Sequence, residues 1–168
     1  MTSSRGLGDV YKRQDSKKIY DLFSKDNVVM TSSSHLSGTD RVNEAVSKLS
    51  LSDEDVVINI QGDEPFINPE DINNLFDLVS KKEIVMGTLY SDLKSLDELE
   101  DSNKVKILVN DGIASNFFRE TSLVNNIFIH QGVYAFKYKT LKSFVSWKPS
   151  DNAVSYTHLT LPTSRSVL

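Results

Sequence analysis

The sequence contains no cysteine among its 168 residues. This excludes a disulfide scaffold, a thiol nucleophile and a cysteine-ligated zinc or iron–sulfur centre. Acidic residues outnumber basic ones by 23 to 19, and a net charge of −4 does not provide the basic surface of a nucleic-acid-binding protein. No apolar run approaches the roughly 20 residues of a membrane-spanning helix, and the polar N-terminus lacks the apolar segment of a signal peptide. These absences predict a soluble, cytoplasmic globular protein with neither nucleic acid nor membrane as a partner.

The two ends of the chain have the pattern of translated adapter DNA. Residues 9–14 can be written in codons whose reverse complement, read in a shifted frame, encodes the Val-Ser-Tyr-Thr-His of residues 154–158. This DNA word is similar to the transposase mosaic end of sequencing libraries. We therefore expect residues 1–14 and 153–168 to be adapter-derived, and residues 15–152 to be part of one natural domain. The natural stretch carries 15 basic and 22 acidic residues, so phosphate binding in it depends on a few well-placed cations.

Hydrophobic periodicity divides the natural stretch into alternating strands and helices. Apolar runs rich in β-branched residues predict strands at 27–31, 55–60, 84–90, 104–109 and 127–136. Apolar residues at helical spacing predict helices at 17–24, 40–49, 69–79 and 140–147. The turn signal Asp111-Gly112 predicts a hairpin over residues 104–118. Together these elements predict an α/β domain with a mixed sheet.

The run Gln-Gly-Asp-Glu-Pro-Phe at 61–66 directly follows a strand that is predicted to be buried. Because ligands of open α/β sheets bind beyond the carboxyl ends of the strands, Asp63 and Glu64 stand where a site is expected. Carboxylates at this position suit Mg²⁺, which takes one or two protein carboxylates together with substrate phosphates. The same run is also typical of an ordinary turn, and both interpretations stay open.

A second loop, residues 34–41, lies between a predicted strand and a predicted helix. Gly38 allows the main chain to approach a flat ligand closely, and a helix N-terminus favours anions. The loop is not a Walker motif, because the Gly-Lys-Ser/Thr ending is absent. The alternative is a simple N-cap by Thr39 or Asp40.

Two further side chains are candidates for ligand binding. Arg119 ends an apolar stretch, where its guanidinium either holds a carboxylate or phosphate through two hydrogen bonds or is an ordinary surface group. His130 alternates with Gly132, Tyr134 and Phe136 on one side of the last predicted strand. His130 is either a core histidine or part of a site, because a glycine within a strand marks close approach of main chain or of a ligand.

In their order along the chain, these motifs resemble the family of 3-deoxy-manno-octulosonate (Kdo) cytidylyltransferases, also called CMP-Kdo synthetases. The most specific pair is Ser-Gly-Thr-Asp-Arg at 37–41 and Gln-Gly-Asp-Glu-Pro at 61–65. Four further motifs follow in the family's order: Lys-Val-Lys at 104–106, Phe-Phe-Arg at 117–119, His-Gln-Gly-Val-Tyr-Ala-Phe at 130–136 and Phe-Val-Ser-Trp-Lys-Pro-Ser at 144–150. The resemblance covers essentially all of residues 15–152. It implies a nucleotide-diphospho-sugar-transferase-like (Rossmann-like) three-layer α/β fold with a mixed sheet, truncated at both ends.

The resemblance also implies the reaction CTP + Kdo → CMP-Kdo + pyrophosphate, with Mg²⁺ as cofactor, for lipopolysaccharide biosynthesis in a Gram-negative bacterium. It implies a homodimer for the full-length parent. The family's phosphate-gripping loop and a second metal-binding aspartate lie outside residues 15–152, so we expect the 168-residue chain itself to be inactive. Two alternatives stay open: another sugar nucleotidyltransferase such as a CMP-sialic acid synthetase, and a non-catalytic nucleotide-binding module.

The family's motifs transfer to individual residues of this sequence. Asp63 is the implied Mg²⁺ ligand, and Asp63 and Arg119 are the implied catalytic residues, with Arg119 a partner for the Kdo carboxylate. The implied substrate-binding residues are Gln61, His130 and Tyr134. The implied nucleotide-binding residues are Ser37, Gly38, Thr39 and Arg41.

Overall fold

The computed structural model describes residues 12–14, 17–22, 28–35, 37–62, 64 and 66–147. The chain divides into two compact units, residues 1–51 and 52–168. The described elements of the first unit are β1 (Lys12–Gln14), α1 (Lys17–Tyr20), β2 (Val28–Met30) and α2 (Gly38–Ser47).

The first unit contains a two-stranded parallel sheet, in which Lys12 of β1 lies opposite Val28 of β2. Helix α2 buries one apolar face through Val42, Ala45 and Val46, as its periodicity predicts. Strand β1 falls within the residues that we expect to be adapter-derived. Because strand pairing uses main-chain groups that every residue carries, this pairing is independent of where the residues come from.

The second unit contains most of the regular structure, and its strands and helices confirm the predicted elements to within a few residues. Its elements are β3 (Val56–Ile60), α3 (Pro69–Ser80), β4 (Met86–Ser91), a 3₁₀ helix (Leu96–Leu99), β5 (Lys106–Asn110), β6 (Ile113–Phe118), β7 (Ile127–Lys137) and α4 (Tyr138–Phe144). The hairpin between β5 and β6 turns through Asp111 and Gly112, whose φ angles of 50° and 78° are those of a two-residue type I′ loop.

The long strand β7 is the centre of the five-stranded sheet. Strand β4 pairs along one edge of β7, while β3 and β5 share the other edge, and β6 pairs with the outer side of β5. Ile129 of β7, for example, lies between Ser91 of β4 and Lys106 of β5. Every described pairing in this sheet is antiparallel, so β3, β4 and β5 run against β7.

Helix α3 packs on one face of the sheet and forms the main core with it. Leu75 and Val79 of the helix are fully buried against Val133 and Ala135 of β7. The helix begins with Pro69 at its first position, as predicted, and the Asn68 side chain accepts a hydrogen bond from the Glu70 amide at 3.0 Å. This packing fixes β3 and β7 side by side, and thereby the loop that follows β3.

The acidic segment between β4 and β5 contains the 3₁₀ helix Leu96–Leu99, which the sequence pattern does not predict. A single turn is too short to produce a hydrophobic period, so sequence patterns do not reveal it. Among the described residues, no helix is long and apolar enough to cross a membrane.

Candidate active site

A cavity of about 490 Å³ opens in the second unit. Five residues that the sequence indicates as site residues line its wall: Gln61, Glu64, Arg119, His130 and Tyr134. They come from the loop after β3, the end of β6 and the centre of β7. A volume of this size is typical of small-molecule sites.

The cavity wall carries charges of both signs. Its acidic members are Glu64, Asp92 and Glu98, and its basic members are Lys94, Lys104 and Arg119. A wall of this kind offers both hydrogen-bond donors for an anionic group and acceptors for hydroxyl groups. It is suited to a polar, acidic small molecule.

Gln61 and Glu64 reach the cavity because the chain folds back after β3. The Glu64 amide donates to the Gln61 carbonyl at 3.2 Å. One Glu64 carboxylate oxygen accepts a hydrogen bond from the Gly132 amide at 3.3 Å, which ties the loop to β7. A Cβ atom at position 132 would stand 3.0 Å from Cδ of Gln61, so the glycine in β7 makes room for this carboxamide. The expected close approach at Gly132 is of main chain or of a ligand, and the structure corrects this: the side chain of Gln61 makes the close approach.

His130 is enclosed by aromatic rings and by one hydroxyl group. Its ring lies 5.2 Å from the ring of Phe117, edge to face, and 5.2 Å from the ring of Tyr134. Its Nε2 atom is 2.9 Å from Oγ1 of Thr88. Burial lowers the pKa of His130 from 6.5 to about 4, so the imidazole is neutral at physiological pH.

Tyr134 follows His130 on the same side of β7, as the alternation predicts. Burial raises the pKa of its phenol well above the ordinary value, because the charged form would lose its hydration. The hydroxyl therefore remains protonated and keeps its capacity to donate a hydrogen bond.

Arg119 is held in place by a buried lysine. Lys106 is fully buried, and its ammonium group donates to the main-chain carbonyls of Asp101 at 2.7 Å, Lys104 at 2.9 Å and Arg119. The Arg119 guanidinium in turn donates to the Ser102 carbonyl at 3.1 Å. The Lys106 ammonium group thus joins the end of β6 to the loop before β5, and these two segments form this side of the cavity.

Glu98 and Lys104 form an ion pair on the cavity wall, with Nζ and Oε1 2.5 Å apart. The Lys104 ammonium and the Lys94 amide lower the pKa of the Glu98 carboxyl. The hydrogen bond to Glu98 raises the pKa of Lys104. Both groups remain charged near neutral pH, and each offsets the other's charge at the cavity.

The predicted nucleotide-binding residues lie in the first unit, at the N-terminus of α2. The helix is capped by Ser37, whose side chain accepts from the Asp40 amide at 3.1 Å. The expected alternative of a cap at Thr39 or Asp40 is therefore wrong by two or three residues. Ser37 has an extended main chain and its side chain satisfies the otherwise unpaired Asp40 amide of the first turn, so the helix starts directly after the serine.

The predicted Mg²⁺ ligand Asp63 lies outside the described residues. Within the described part of the chain, no group of three or more histidine, aspartate or glutamate side chains is arranged to hold a metal. Mg²⁺ does not require such a group, because it takes one or two carboxylates and completes its shell with phosphates and water. The neighbouring Glu64 brings a carboxylate to the cavity, which fits a magnesium site at this loop.

The sequence assigns no role to three residues that line or support this site: Thr88, Glu98 and Lys106. Thr88 lies within a strand whose pattern predicts only a buried segment. For Lys106, the sequence signal is a lysine at the start of the apolar strand β5. A lysine that is buried there must find hydrogen-bond partners for its three donors.

Comparison with known proteins agrees with this geometry. The sequence model of the cytidylyltransferase family matches residues 13–161. A 3-deoxy-manno-octulosonate cytidylyltransferase of Legionella pneumophila (strain Corby) is 39% identical over 131 residues, covering 73% of this chain and 52% of the relative. An enzyme of the same name from Francisella tularensis subsp. novicida (strain U112) is 34% identical over 146 residues, covering 77% of this chain and 58% of the relative.

The fold is also found in a solved structure. A structure of CMP:2-keto-3-deoxy-manno-octonic acid synthetase complexed with CTP superposes with a TM-score of 0.78 and 26% identity, over 91% of this chain and 66% of that one. The predicted nucleotidyltransferase-like α/β fold is thereby confirmed. The chain belongs to the cytidylyltransferase family. It spans about half the length of the curated relatives that it matches.

Proposed function

We propose that the complete protein to which this chain belongs is a nucleotidyltransferase that converts CTP and Kdo into CMP-Kdo and pyrophosphate. The observation that carries the proposal is the convergence of Gln61, Arg119, His130 and Tyr134 on one cavity. The relatives named Kdo cytidylyltransferase, and the CTP complex of the synthetase with the same fold, support this choice of substrates.

The cavity wall suits an acidic sugar. The guanidinium of Arg119 presents a fork of donors that matches a carboxylate. Gln61 both donates and accepts, the neutral Tyr134 phenol donates, and the carboxylates of Glu64 and Asp92 accept from hydroxyl groups. An uncharged sugar offers no carboxylate to match this fork of donors, so the proposal favours a sugar acid.

In the proposed reaction, the anomeric hydroxyl of Kdo attacks the α-phosphorus of CTP. A bond forms between that oxygen and phosphorus, the bond to the bridging oxygen of the β-phosphate breaks, and pyrophosphate leaves as the hydroxyl proton is released. The cavity residues orient the sugar for this attack. Residues Ser37–Arg41, which are the cap and first turn of α2, would hold the cytidine part, with Gly38 allowing the main chain to approach it.

We propose Mg²⁺ as the cofactor, with Asp63 as its protein ligand. When bound, this ion offsets the negative charge on the phosphates and on the leaving pyrophosphate. Arg119 and Lys94 of the cavity wall add positive charge from the protein itself. The family resemblance further supports a homodimer, a cytoplasmic location and a role in lipopolysaccharide synthesis for the complete protein.

The test is pyrophosphate release by the complete protein, expressed from the extended gene, with CTP and Mg²⁺. The acceptors are Kdo, N-acetylneuraminate and no sugar. We expect release with Kdo and at least about tenfold less with N-acetylneuraminate. No release is expected from the 168-residue chain alone, which spans about half the length of its relatives.

Two variants locate the sugar acid within the protein. Arg119→Met removes a charged hydrogen-bond donor, and we expect the KM for Kdo to rise by about 10- to 100-fold with little change in the KM for CTP. Lys82→Met removes an exposed cation outside the cavity and serves as the matched control. Preference for N-acetylneuraminate would favour a CMP-sialic acid synthetase. CTP binding without release would favour a non-catalytic module.

A further inference from the structure

Thr88 of β4 connects two groups of β7 through one hydroxyl. Its Oγ1 atom donates a hydrogen bond to the Val133 carbonyl at 2.7 Å and lies 2.9 Å from Nε2 of His130. A bulge makes this contact possible: Thr88 pairs with Tyr134 and the next residue of β4 pairs with Gln131. Two residues of β7 therefore have no partner on β4, and bulges of this kind re-aim side chains next to active sites.

The positions of the protons in this contact follow from its donors and acceptors. A carbonyl oxygen can only accept, so the single hydroxyl proton of Thr88 points to Val133. The oxygen then faces His130 with a lone pair, and the hydrogen bond requires a proton on Nε2. Because the buried imidazole is neutral, it carries one proton in all, and Nδ1 is left without one.

We propose that Thr88 is a positioning residue, which fixes His130 in the tautomer that carries its proton on Nε2 and leaves Nδ1 as a hydrogen-bond acceptor for the sugar. Among the described residues, Nδ1 has no hydrogen-bond partner, and His130 lines the cavity. Nδ1 of His130 thus accepts a hydrogen bond from a hydroxyl group of the substrate. The imidazole neither donates a proton to the substrate nor supplies a positive charge. This role rests on the proposed function, since it assigns the cavity's ligand to a polyhydroxy sugar.

The first test measures the tautomer in the 168-residue chain without any substrate. Long-range ¹H–¹⁵N correlation spectra distinguish a protonated ring nitrogen from an unprotonated one, and a His130→Gln variant assigns the signals. We expect a protonated Nε2 and an unprotonated Nδ1 at pH 7. In Thr88→Val, which has the same shape without the hydroxyl, we expect a mixture of tautomers, whereas Thr88→Ser retains the original one. A protonated Nδ1 in the parent chain, or an unchanged tautomer in Thr88→Val, would overturn the proposal.

The second test measures the consequence for the substrate in the complete protein. Thr88→Val should raise the KM for Kdo by about tenfold, the size of one ordinary hydrogen bond, with the KM for CTP unchanged. Thr88→Ser should restore the KM for Kdo, which a purely structural loss of packing would not do. Equal KM values for Kdo in Thr88→Val and in the unsubstituted complete protein would also overturn the positioning role.

The two proposals fail in different ways. If the complete protein does not use Kdo, the proposed function fails, while the tautomer in the 168-residue chain still decides whether Thr88 controls His130. If Kdo is used and Thr88→Val has neither effect, the positioning role fails alone. Where Thr88→Val does not fold, the tautomers of the parent chain and of Thr88→Ser decide between a fixed and an unfixed His130.

Discussion

The carboxamide of Gln61 lies directly against the main chain of Gly132, with only 3.0 Å between Cδ of Gln61 and the place where a Cβ at position 132 would be. The contact joins the end of β3 to the middle of β7. Glu64 reinforces it by accepting a hydrogen bond from the Gly132 amide at 3.3 Å. Because Gly132 has no Cβ atom, Gln61 can pack against β7, and this contact positions the loop after β3 relative to His130.

Gly132→Ala should displace Gln61 from the cavity wall while the sheet remains intact. We expect the affinity of the complete protein for Kdo, measured by calorimetry, to fall by about tenfold, since one hydrogen-bonding group is moved. The Gln61→Ala variant provides the control through a double-mutant cycle. If Gly132→Ala costs as much affinity in the Gln61→Ala background as in the parent, the contact between these two residues is not the cause.

The buried lysine predicts a large difference between two neighbouring substitutions in the 168-residue chain. Lys106→Met leaves three main-chain carbonyls without their donor, and we expect the free energy of unfolding to fall by about 2–4 kcal/mol. Lys104→Met removes a half-exposed lysine from its pair with the buried Glu98, which keeps its hydrogen bond from the Lys94 amide, so we expect a smaller loss of about 1 kcal/mol. Urea denaturation of the two variants checks this, and equal losses would contradict the structural role of Lys106.

His130 predicts a specific dependence of stability on pH. Burial lowers the pKa of its imidazole from 6.5 to about 4 in the folded chain, so between these values the unfolded chain takes up a proton that the folded chain does not. The free energy of unfolding should therefore decrease as the pH falls from about 6.5 to about 4, by up to about 3 kcal/mol. Subtracting the profile of His130→Gln isolates this contribution, because its ring neighbours Phe117 and Tyr134 do not titrate in that range. Identical profiles for the two proteins would show that His130 titrates normally.

Ser37 and Thr39 are both good capping residues by sequence, and the structure assigns the cap of α2 to Ser37. Ser37→Ala removes the acceptor for the Asp40 amide, and we expect a loss of about 1 kcal/mol in stability of the first unit. Thr39→Ala lies inside the helix and should be neutral or slightly stabilising, because alanine is the better helix former. Hydrogen exchange of the α2 amides measures both variants, and a larger effect at Thr39 would contradict the cap assignment.

Much of the fold can be predicted because its elements are long enough to show a period. Pro69 marks the start of helix α3, Leu75 and Val79 mark its buried face, and the Asp111-Gly112 turn marks the hairpin. The order of the motifs also indicates Gln61, Arg119, His130 and Tyr134 as site residues, and the structure brings all four to one cavity.

The remaining features depend on contacts between distant segments, which no local pattern encodes. The bulge opposite Thr88 is set by the pairing of β4 with β7, and the sequence of either strand alone is that of a regular strand. Lys106 interrupts an apolar strand, and its role is visible only from its three carbonyl partners. The helix cap lies two or three residues earlier than expected, since Ser37, Thr39 and Asp40 are all good capping residues.

The most direct measurement is a titration of the ¹⁵N-labelled 168-residue chain with Kdo, followed through the amide signals of the second unit. We predict saturable shifts at Gln61, Arg119, His130 and Gly132, with much smaller shifts from mannose, which lacks the carboxylate, and none of this response in Arg119→Met. Shifts that are the same with mannose as with Kdo, or a Kdo response that survives Arg119→Met unchanged, would contradict the assignment of this cavity to a sugar acid.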